Sequence, residues 1–529
     1  EALHLYQRGV DGPALISVLG FNGDSRLRDL RQRDLANTTL SADSVIVYVA
    51  ADDDAEDPTP EQWLQYLRFL PQQLDIATVH VINQHGDVSI FPVENLSGRR
   101  TGSDGFAAEL RADIDGAPLD VALTLTSIRR ELDRGGVNFT ASVEAPDSAT
   151  EARLEGLFEA HAESIHYDVT VNARFPQVST LLAAFPAAPP LAGALSLRGR
   201  LSGDLQDYEL TAAGFELDNR PAYFFEASGD LQRVDGADPT LSLIASGEMD
   251  SLEYFLRWLE LDLTPLGGIR ASIALSGTMA ATVVDQLSIV TQSSKGLWIT
   301  LNGSSGPGSL GSAELPADAD FTLHAHAPGL EVLNPWLSQP IGFDAGPWQL
   351  SARLVEAGGD LGMENIQAQL GSAATTLLRA TDGSARIDLD RLDDPGGIQN
   401  IDLTLAAVSS DLAMPAGWLN QSLPAGFALE ASARLAGNGA ELTLTGGAGT
   451  LRHQHLEMAF DGAGVRLHRS EDYQPRGGQA RLHLRAEDLA SLSDLAGSPL
   501  PDLGRLELTA RASQRDQRID LRDLAARLT

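Results

Sequence analysis

The sequence predicts a mostly β protein: an elongated repeat β-sheet curved into a hydrophobic groove, taco-like or solenoidal, with one short helix per repeat of about 78 residues. Three observations predict it. A glycine recurs along the chain at nearly constant spacing, each glycine is followed by alternating apolar and polar residues, and a short helical stripe precedes most of them.

The glycines are Gly116, Gly193, Gly268, Gly346, Gly426 and Gly504, with gaps of 77, 75, 78, 80 and 78 residues. The segments behind them read as strands. Leu195, Leu197 and Leu201 alternate with Ser196, Arg198 and Arg200, and Ile269, Ala271, Ile273 and Leu275 repeat the pattern. Phe427, Leu429, Ala431, Ala433 and Leu435 do the same, as do Leu506, Leu508, Ala510 and Ala512. A period of two gives each strand one apolar and one polar face. Further strands are expected at Tyr208–Ala212, Leu297–Leu301, Ile366–Leu370, Glu441–Thr445 and Arg518–Arg522, with Gly, Asn and Asp supplying the turns.

The helical stripes are Val178, Leu181, Leu182 and Phe185; Leu252, Phe255, Leu256 and Leu259; Leu330, Leu333, Trp336 and Leu337; and Leu489, Leu492 and Leu495. Spacings of three and four place each set on one helix face. Pro415 interrupts the corresponding slot at Ser410–Leu423, which predicts a short or displaced helix there. Near the N-terminus, Thr59 caps a helix with Pro60 in its first turn; Trp63, Leu64, Leu67 and Leu70 form its stripe and Pro71 ends it.

These elements divide the chain into an N-terminal β region over 1–98 with a helix over 60–70, repeats over 99–174, 175–248, 249–327, 328–408 and 409–485, and a partial repeat over 486–529. A repeat of this length leaves room for roughly five strands of about eight residues, a sheet face on the order of 600 Å². One ten-residue helix shields on the order of 150 Å² of that. The apolar face must therefore pack on a second sheet, curl into a gutter or closed solenoid, or be covered by an apolar ligand.

Composition narrows the function. The chain has 529 residues and a net charge of −35, with Lys295 its single lysine. That charge repels phosphate backbones, so nucleic acid is not an expected partner. Cysteine is absent, which excludes disulfides, thiol catalysis and Cys-based zinc sites and fits an extracytoplasmic protein. No apolar run reaches the roughly 18 residues of a membrane-spanning helix. The chain opens on Glu1 without a signal-peptide pattern, so the expectation is a processed piece whose membrane-anchoring segments are missing.

No nucleophile elbow, phosphate loop, dinucleotide fingerprint or His-Glu-x-x-His motif occurs, so no catalytic residue and no cofactor are assigned. His324 with His326 and His453 with His455 each place two imidazoles on one strand. No third ligand is fixed by spacing, and solvated or capping histidines are the preferred reading, with no metal assigned. The acidic run Asp52, Asp53, Asp54, Glu56 and Asp57 lacks the order of a calcium loop and reads as a solvated loop. Gly303-Ser304-Ser305-Gly306-Pro307 reads as a flexible turn. The tryptophans mostly fall on apolar stripes as core anchors, while Trp298 and Trp348 sit in strand patterns. The residues placed in the groove are Leu195, Leu197, Leu201, Ile273, Leu275, Trp298, Trp348, Leu350, Leu429 and Leu508.

The helix–Pro–Gly–strand blocks at Phe175–Leu217, Met249–Gly277 and Ala486–Ser513, with the segment Trp63–Ile90, resemble the AsmA-like family of Gram-negative envelope proteins of the TamB and YhdP type. The resemblance covers nearly the whole chain through degenerate motifs. It implies a long curved sheet with a hydrophobic groove, anchored in the inner membrane and crossing the periplasm. It further implies phospholipids as partners and movement of lipid toward the outer membrane. TamB-like members imply a second role, assisting assembly of outer-membrane proteins. A secreted β-repeat adhesin with dry sandwich cores is the third reading of the pattern.

Overall fold

The computed structural model describes residues 3–5, 16–25, 28, 37–49, 67–83, 93–102, 104–114, 117–145, 150–160, 164–179, 191–204, 207–234, 237–251, 267–308, 316, 318–336, 346–371, 376–391, 394–412, 426–468, 475–493, 498–515 and 518–529. The chain forms two compact units, Glu1–Gly247 with Ser276–Met279, and Glu248–Leu275 with Ala280–Thr529. It is mostly β, as the alternation predicts.

In the first unit Gln73–Asn83 pairs parallel with Thr39–Val49 and antiparallel with Val93–Thr101. From there the chain meanders, each strand antiparallel to the next, through Gly105–Ile114, Ala117–Thr126, Gly136–Ala145, Thr150–Ala160, Ile165–Phe175, Ala194–Gly203, Tyr208–Asn219 and Tyr223–Arg233. The second unit follows the same plan from Thr282–Gln292 to Arg518–Leu528, except that Val465–His468 pairs back on Glu441–His453 and Leu456–Ala463 pairs on to Gln479–Ala486. Each unit is a curved open sheet.

The second, third and fourth repeats each contribute four long strands rather than five short ones. The fourth repeat, for example, is Trp348–Ala357, Asp360–Gly371, Thr376–Ile387 and Ile398–Ser409. Tight turns explain the difference. Ala357 faces Asp360 across a two-residue hairpin whose Gly358 and Gly359 have φ of 69° and 90°, so few residues leave the sheet. The run from Gly303 to Pro307 is likewise not a turn: it ends the strand Trp298–Gly308 and pairs on both sides, with bulges in the register opposite Val284.

The strict alternation slips by one residue in the second strand of the repeat. Leu210 and Ala213 lie on the same face, separated by a bulge with Ala212 at φ 47°. Met363 and Ile366 flank Asn365 at φ 51° in the same way, and Leu444 and Gly447 flank Gly446 at φ 59°. A β-bulge adds one residue and bends the strand, so the apolar face stays continuous through a change of phase.

Helix content is small. The stripe at Leu330 forms a 3-10 helix, Leu330–Trp336, and the stripe at Leu489 forms Ala490–Leu492. Of the expected helix over 60–70, only the 3-10 turn Leu67–Phe69 falls among the described residues. The stripe Leu252–Leu259 and most of the slots at 178–185 and 410–423 lie outside them. A short α-helix not anticipated from the sequence, Ile128–Leu132, buries Ile128 and Leu132.

The ends of these crossovers are fixed to the sheet. The amides of Val178, Leu412 and Leu489 donate to the carbonyls of Gly193, Phe427 and Gly504 at 2.9, 2.7 and 3.1 Å. Gly116 lies outside the described residues; the other repeat glycines have positive φ, 99° at Gly193, 70° at Gly267, 74° at Gly346, 88° at Gly426 and 80° at Gly504. In the third repeat this residue is Gly267, one before the Gly268 marked by the sequence pattern. A side chain there would also strike the neighbouring strand, 2.4 Å from the Gln292 carbonyl oxygen.

The fully buried residues gather along this crossover edge. Leu297, Ala327 and Val332 form one cluster with Trp348 against it, and Phe427, Leu456 and Ala486 form another with Leu412, Leu451, Leu484, Leu492 and Leu506. In the first unit Phe106, Leu125, Ile128, Leu132, Val137, Phe139 and Val169 do the same. Away from that edge, most of the larger side chains of the apolar face are only half-buried, while Ile366 and alanines such as Ala325 and Ala380 are buried.

Candidate functional site

Cross-strand partners share a face of the sheet, so the register assigns every side chain to one side or the other. In the second unit one such row runs Ala327, Trp348, Leu370, Leu378, Ala407, Ala431, Gly449, Phe460, Leu482, Ala510. A parallel row runs Ile299, Ala325, Leu350, Ala368, Ala380, Leu405, Ala433. No polar side chain interrupts either row. In the first unit the corresponding row is Leu110, Val121, Val143, Ala152, Ala173, Leu197, Phe215, Ala227.

The apolar face of the second unit borders a trough of about 790 Å³ whose lining comes from eleven strands between Trp348–Ala357 and Arg518–Leu528. The trough starts beside Leu330, Leu333 and Trp348 at the crossover edge and reaches Val465, Gly477, Gly478 and Ile519 near the opposite edge. Much of its floor is alanine and glycine, among them Ala407, Ala431, Ala433, Gly462, Ala480 and Ala512. Small side chains leave the space; the backbone groups below them are paired in the sheet, so the floor offers apolar surface and few free polar groups.

A second set of glycines, missed in the sequence reading, bends the sheet around this face. Gly156, Gly229 and Gly303 lie in the third strand of successive repeats and point to the apolar side. A Cβ on them would stand 2.1, 2.0 and 2.1 Å from the carbonyl oxygens of Asp168, Ser242 and Asp320 in the fourth strand. Gly462 repeats the approach at 2.6 Å to the Gln479 oxygen, and a Cβ on Gly383 would meet Leu403 at 2.2 Å. In a flat pair, facing Cβ atoms stay about 4.5–5.5 Å apart. The approach is possible only where the two strands fold toward each other, with the apolar face inside. Their spacings of 73, 74, 80 and 79 residues carried the signal, hidden among 50 glycines.

The sequence-predicted groove residues sort by face. Trp348 and Leu350 line the trough. Leu429 and Leu508 lie on the same face in one row with Leu451, Met458 and Leu484, beside the buried cluster at the crossover edge. In the first unit, Leu195 is 5% exposed and packed between Phe175 and Leu217; Leu197 and Leu201 stand half-buried beside Phe215 and Leu210. Ile273 and Leu275 are half-buried on the strand Gly268–Thr278. Trp298 does not join the trough. It shares a row with Gln292, His326, Gln349 and Gln369 on the polar face, its ring stacked on His326 at 6.1 Å. Alternation shows that a strand has two faces, but Trp298 is apolar on the polar one, and only register reveals it.

Leu197 also borders a depression of about 620 Å³ in the first unit. Its lining includes Glu144, Arg153, Arg174, Glu216 and Glu226, so it is a polar feature and not a continuation of the trough.

The polar face carries a repeated ion pair. Arg200, Arg353 and Arg434, each in the first strand of a repeat, grip Asp168, Asp320 and Asp402 in the last strand of the repeat before. The Arg353 pair is bidentate, at 2.8 and 2.9 Å. In each case the guanidinium holds the aspartate carboxyl below its ordinary range. Asp218 is lowered to about 2 by hydrogen bonds from the side chain and backbone of Arg220.

The paired histidines take separate neighbours. His324 and His326 stand on the polar face, opposite Thr300 and Trp298, whereas His453 stacks on Phe427 at 4.4 Å and His455 Nδ1 lies 2.6 Å from Glu487. Among the described residues no three His, Cys, Asp or Glu side chains are placed to hold a metal ion. The run Asp52–Asp57 lies outside them. No helix among them is long and apolar enough to cross a membrane.

Compared with known proteins, the chain matches no family model, no curated protein and no solved structure.

Proposed function

We propose that this chain is a segment of a non-enzymatic lipid-transfer conduit that shields phospholipid acyl chains in its β-groove as they pass between the inner and outer membranes across the periplasm. One observation carries the reading: two uninterrupted apolar rows border a trough of about 790 Å³ lined by eleven strands. An acyl chain gains about 0.8 kcal/mol for each methylene removed from water, so a long apolar floor retains it without any polar anchor. Exchange along the floor needs no bond chemistry, because successive positions on the rows are chemically alike. The cysteine-free composition and the resemblance to AsmA-like envelope proteins support the periplasmic setting and an anchor in the inner membrane.

The test is mass spectrometry of lipids extracted from the purified chain, combined with photo-crosslinking amino acids at Leu350 and Ala431 on the floor and at Gln367 on the opposite face, outside the trough lining. Co-purified phospholipid, crosslinked from the floor positions and not from Gln367, is the expected result. Crosslinking of polypeptide from the floor would support instead a scaffold for outer-membrane protein assembly. Lack of any lipid together with slow solvent exchange along the rows would support the adhesin reading.

A further inference from the structure

The Arg–Asp junction described above follows one register. The central arginine faces threonine in the preceding strand at Thr170, Thr322 and Thr404, and the aspartate sits two residues before that threonine. On its other side it faces Thr211, Glu364 and Thr445. At the last junction the same register reads differently. The central residue is still arginine, Arg511, but it faces Arg481 on one side and Arg522 on the other, and Gln479 replaces the aspartate.

Three arginines in one cross-strand row are unfavourable, since like charges directly opposite each other destabilise a sheet. Arg511 retains a carboxylate partner, Asp523, at 3.2 Å. Arg481 faces Asp461 across the strand pair on its far side, but neither Arg481 nor Arg522 makes an ion pair among the described residues. The surroundings share this bias: residues 475–529 hold nine arginines against eight acidic residues, in a chain whose net charge is −35. Here the polar face dips into a depression of about 620 Å³ lined by Arg481, His483, Arg511, Asp461 and Asp523.

We infer that Arg481, Arg511 and Arg522 form a binding site for a phosphate-type oxyanion, which takes the place that Asp168, Asp320 and Asp402 occupy at the other junctions. At those junctions two carboxylate oxygens satisfy the Nε and Nη2 of one guanidinium. A tetrahedral oxyanion presents the same pair of acceptors to Arg511 and has further oxygens for Arg481 and Arg522. The site lies on the polar face, so it is independent of the trough and of what the trough holds. The oxyanion comes either from a lipid head group at a membrane surface or from a free phosphate.

The decisive variant restores the repeat's own pattern: Gln479→Asp with Arg481→Thr, in the whole 529-residue chain. Thermal melts are followed against inorganic phosphate, and sedimentation against phosphatidylcholine vesicles with and without phosphatidic acid. Phosphate should raise the melting temperature of the wild-type chain in a saturable way, and the variant should bind it about tenfold or more weakly. The difference between the two proteins removes the general stabilisation that phosphate gives any fold. Added preference for phosphatidic acid vesicles identifies a head group as the source; a response to phosphate alone identifies a free oxyanion. Equal phosphate responses in both proteins, with circular dichroism showing both folded, overturn the inference.

Discussion

Arg353 holds Asp320 through two parallel hydrogen bonds, Nε to Oδ1 at 2.8 Å and Nη2 to Oδ2 at 2.9 Å, and so ties the first strand of one repeat to the last strand of the repeat before. The same grip at Arg200–Asp168 and Arg434–Asp402 makes acid the natural probe of these junctions. The carboxyls are lowered from an ordinary value of 3.8. Groups shifted downward by folding contribute stability that is complete above the unfolded value and is lost as the pH falls through the folded one. The melting temperature should therefore hold steady from neutrality to about pH 5 and drop steeply below about pH 4. Replacing Asp168, Asp320 and Asp402 by Asn should lower it at pH 7 and flatten the acid limb; an unchanged limb would show that the pairs add nothing.

Gly303 is the sharpest test of the folded-over third strand. Because a Cβ there would stand 2.1 Å from the Asp320 carbonyl oxygen, Gly303→Val should destabilise the protein by about 1–3 kcal/mol in urea unfolding. Gly447, whose Cβ would meet its nearest neighbour at 3.6 Å, should accept alanine at a cost within about 0.5 kcal/mol.

Enlarging the floor should weaken ligand binding without unfolding the sheet. Ala407 and Ala431 face each other across the trough floor. Ala431→Phe should displace about two methylenes of a bound alkyl chain, roughly 1.6 kcal/mol or about tenfold in affinity. Competition against a fluorescent fatty-acid probe measures this, and unaltered affinity would place the ligand elsewhere.

Trp348 and Trp298 report on opposite faces. Trp348 lines the trough and its Nε1 donates to the Gly329 carbonyl at 3.1 Å, whereas Trp298 stacks on His326 on the polar side. In variants that keep one of these tryptophans and replace the others by Phe, a brominated phospholipid should quench Trp348 strongly and Trp298 weakly. Trp348→Phe should also cost about 1 kcal/mol for its lost hydrogen bond.

Much of this architecture can be read in the amino acids, because a period of two and a recurring glycine are local signals. Leu350 and Leu429 fall on the face that alternation assigns them. Several things escape such a reading. A bulge at Ala212, Asn365 or Gly446 shifts the phase of the pattern by one residue, and in sequence it looks like irregularity. The side on which an apolar residue such as Trp298 stands depends on pairing with a strand far along the chain, here Asp320–Ala327. The glycines that curve the sheet were visible as residues; their purpose lies in a distance to the next strand. Alternation likewise could not separate a bare apolar face from a covered one, since both require the same side chains.

The bulge recurs at Ala212, Asn365 and Gly446, so in these modules the turning of the sheet is written into the module itself and not imposed from its ends. Such a chain can change its reach by duplicating or deleting a whole module, with no other segment needing redesign. Descendants of one ancestral unit would then differ in span while sharing the same cross-section.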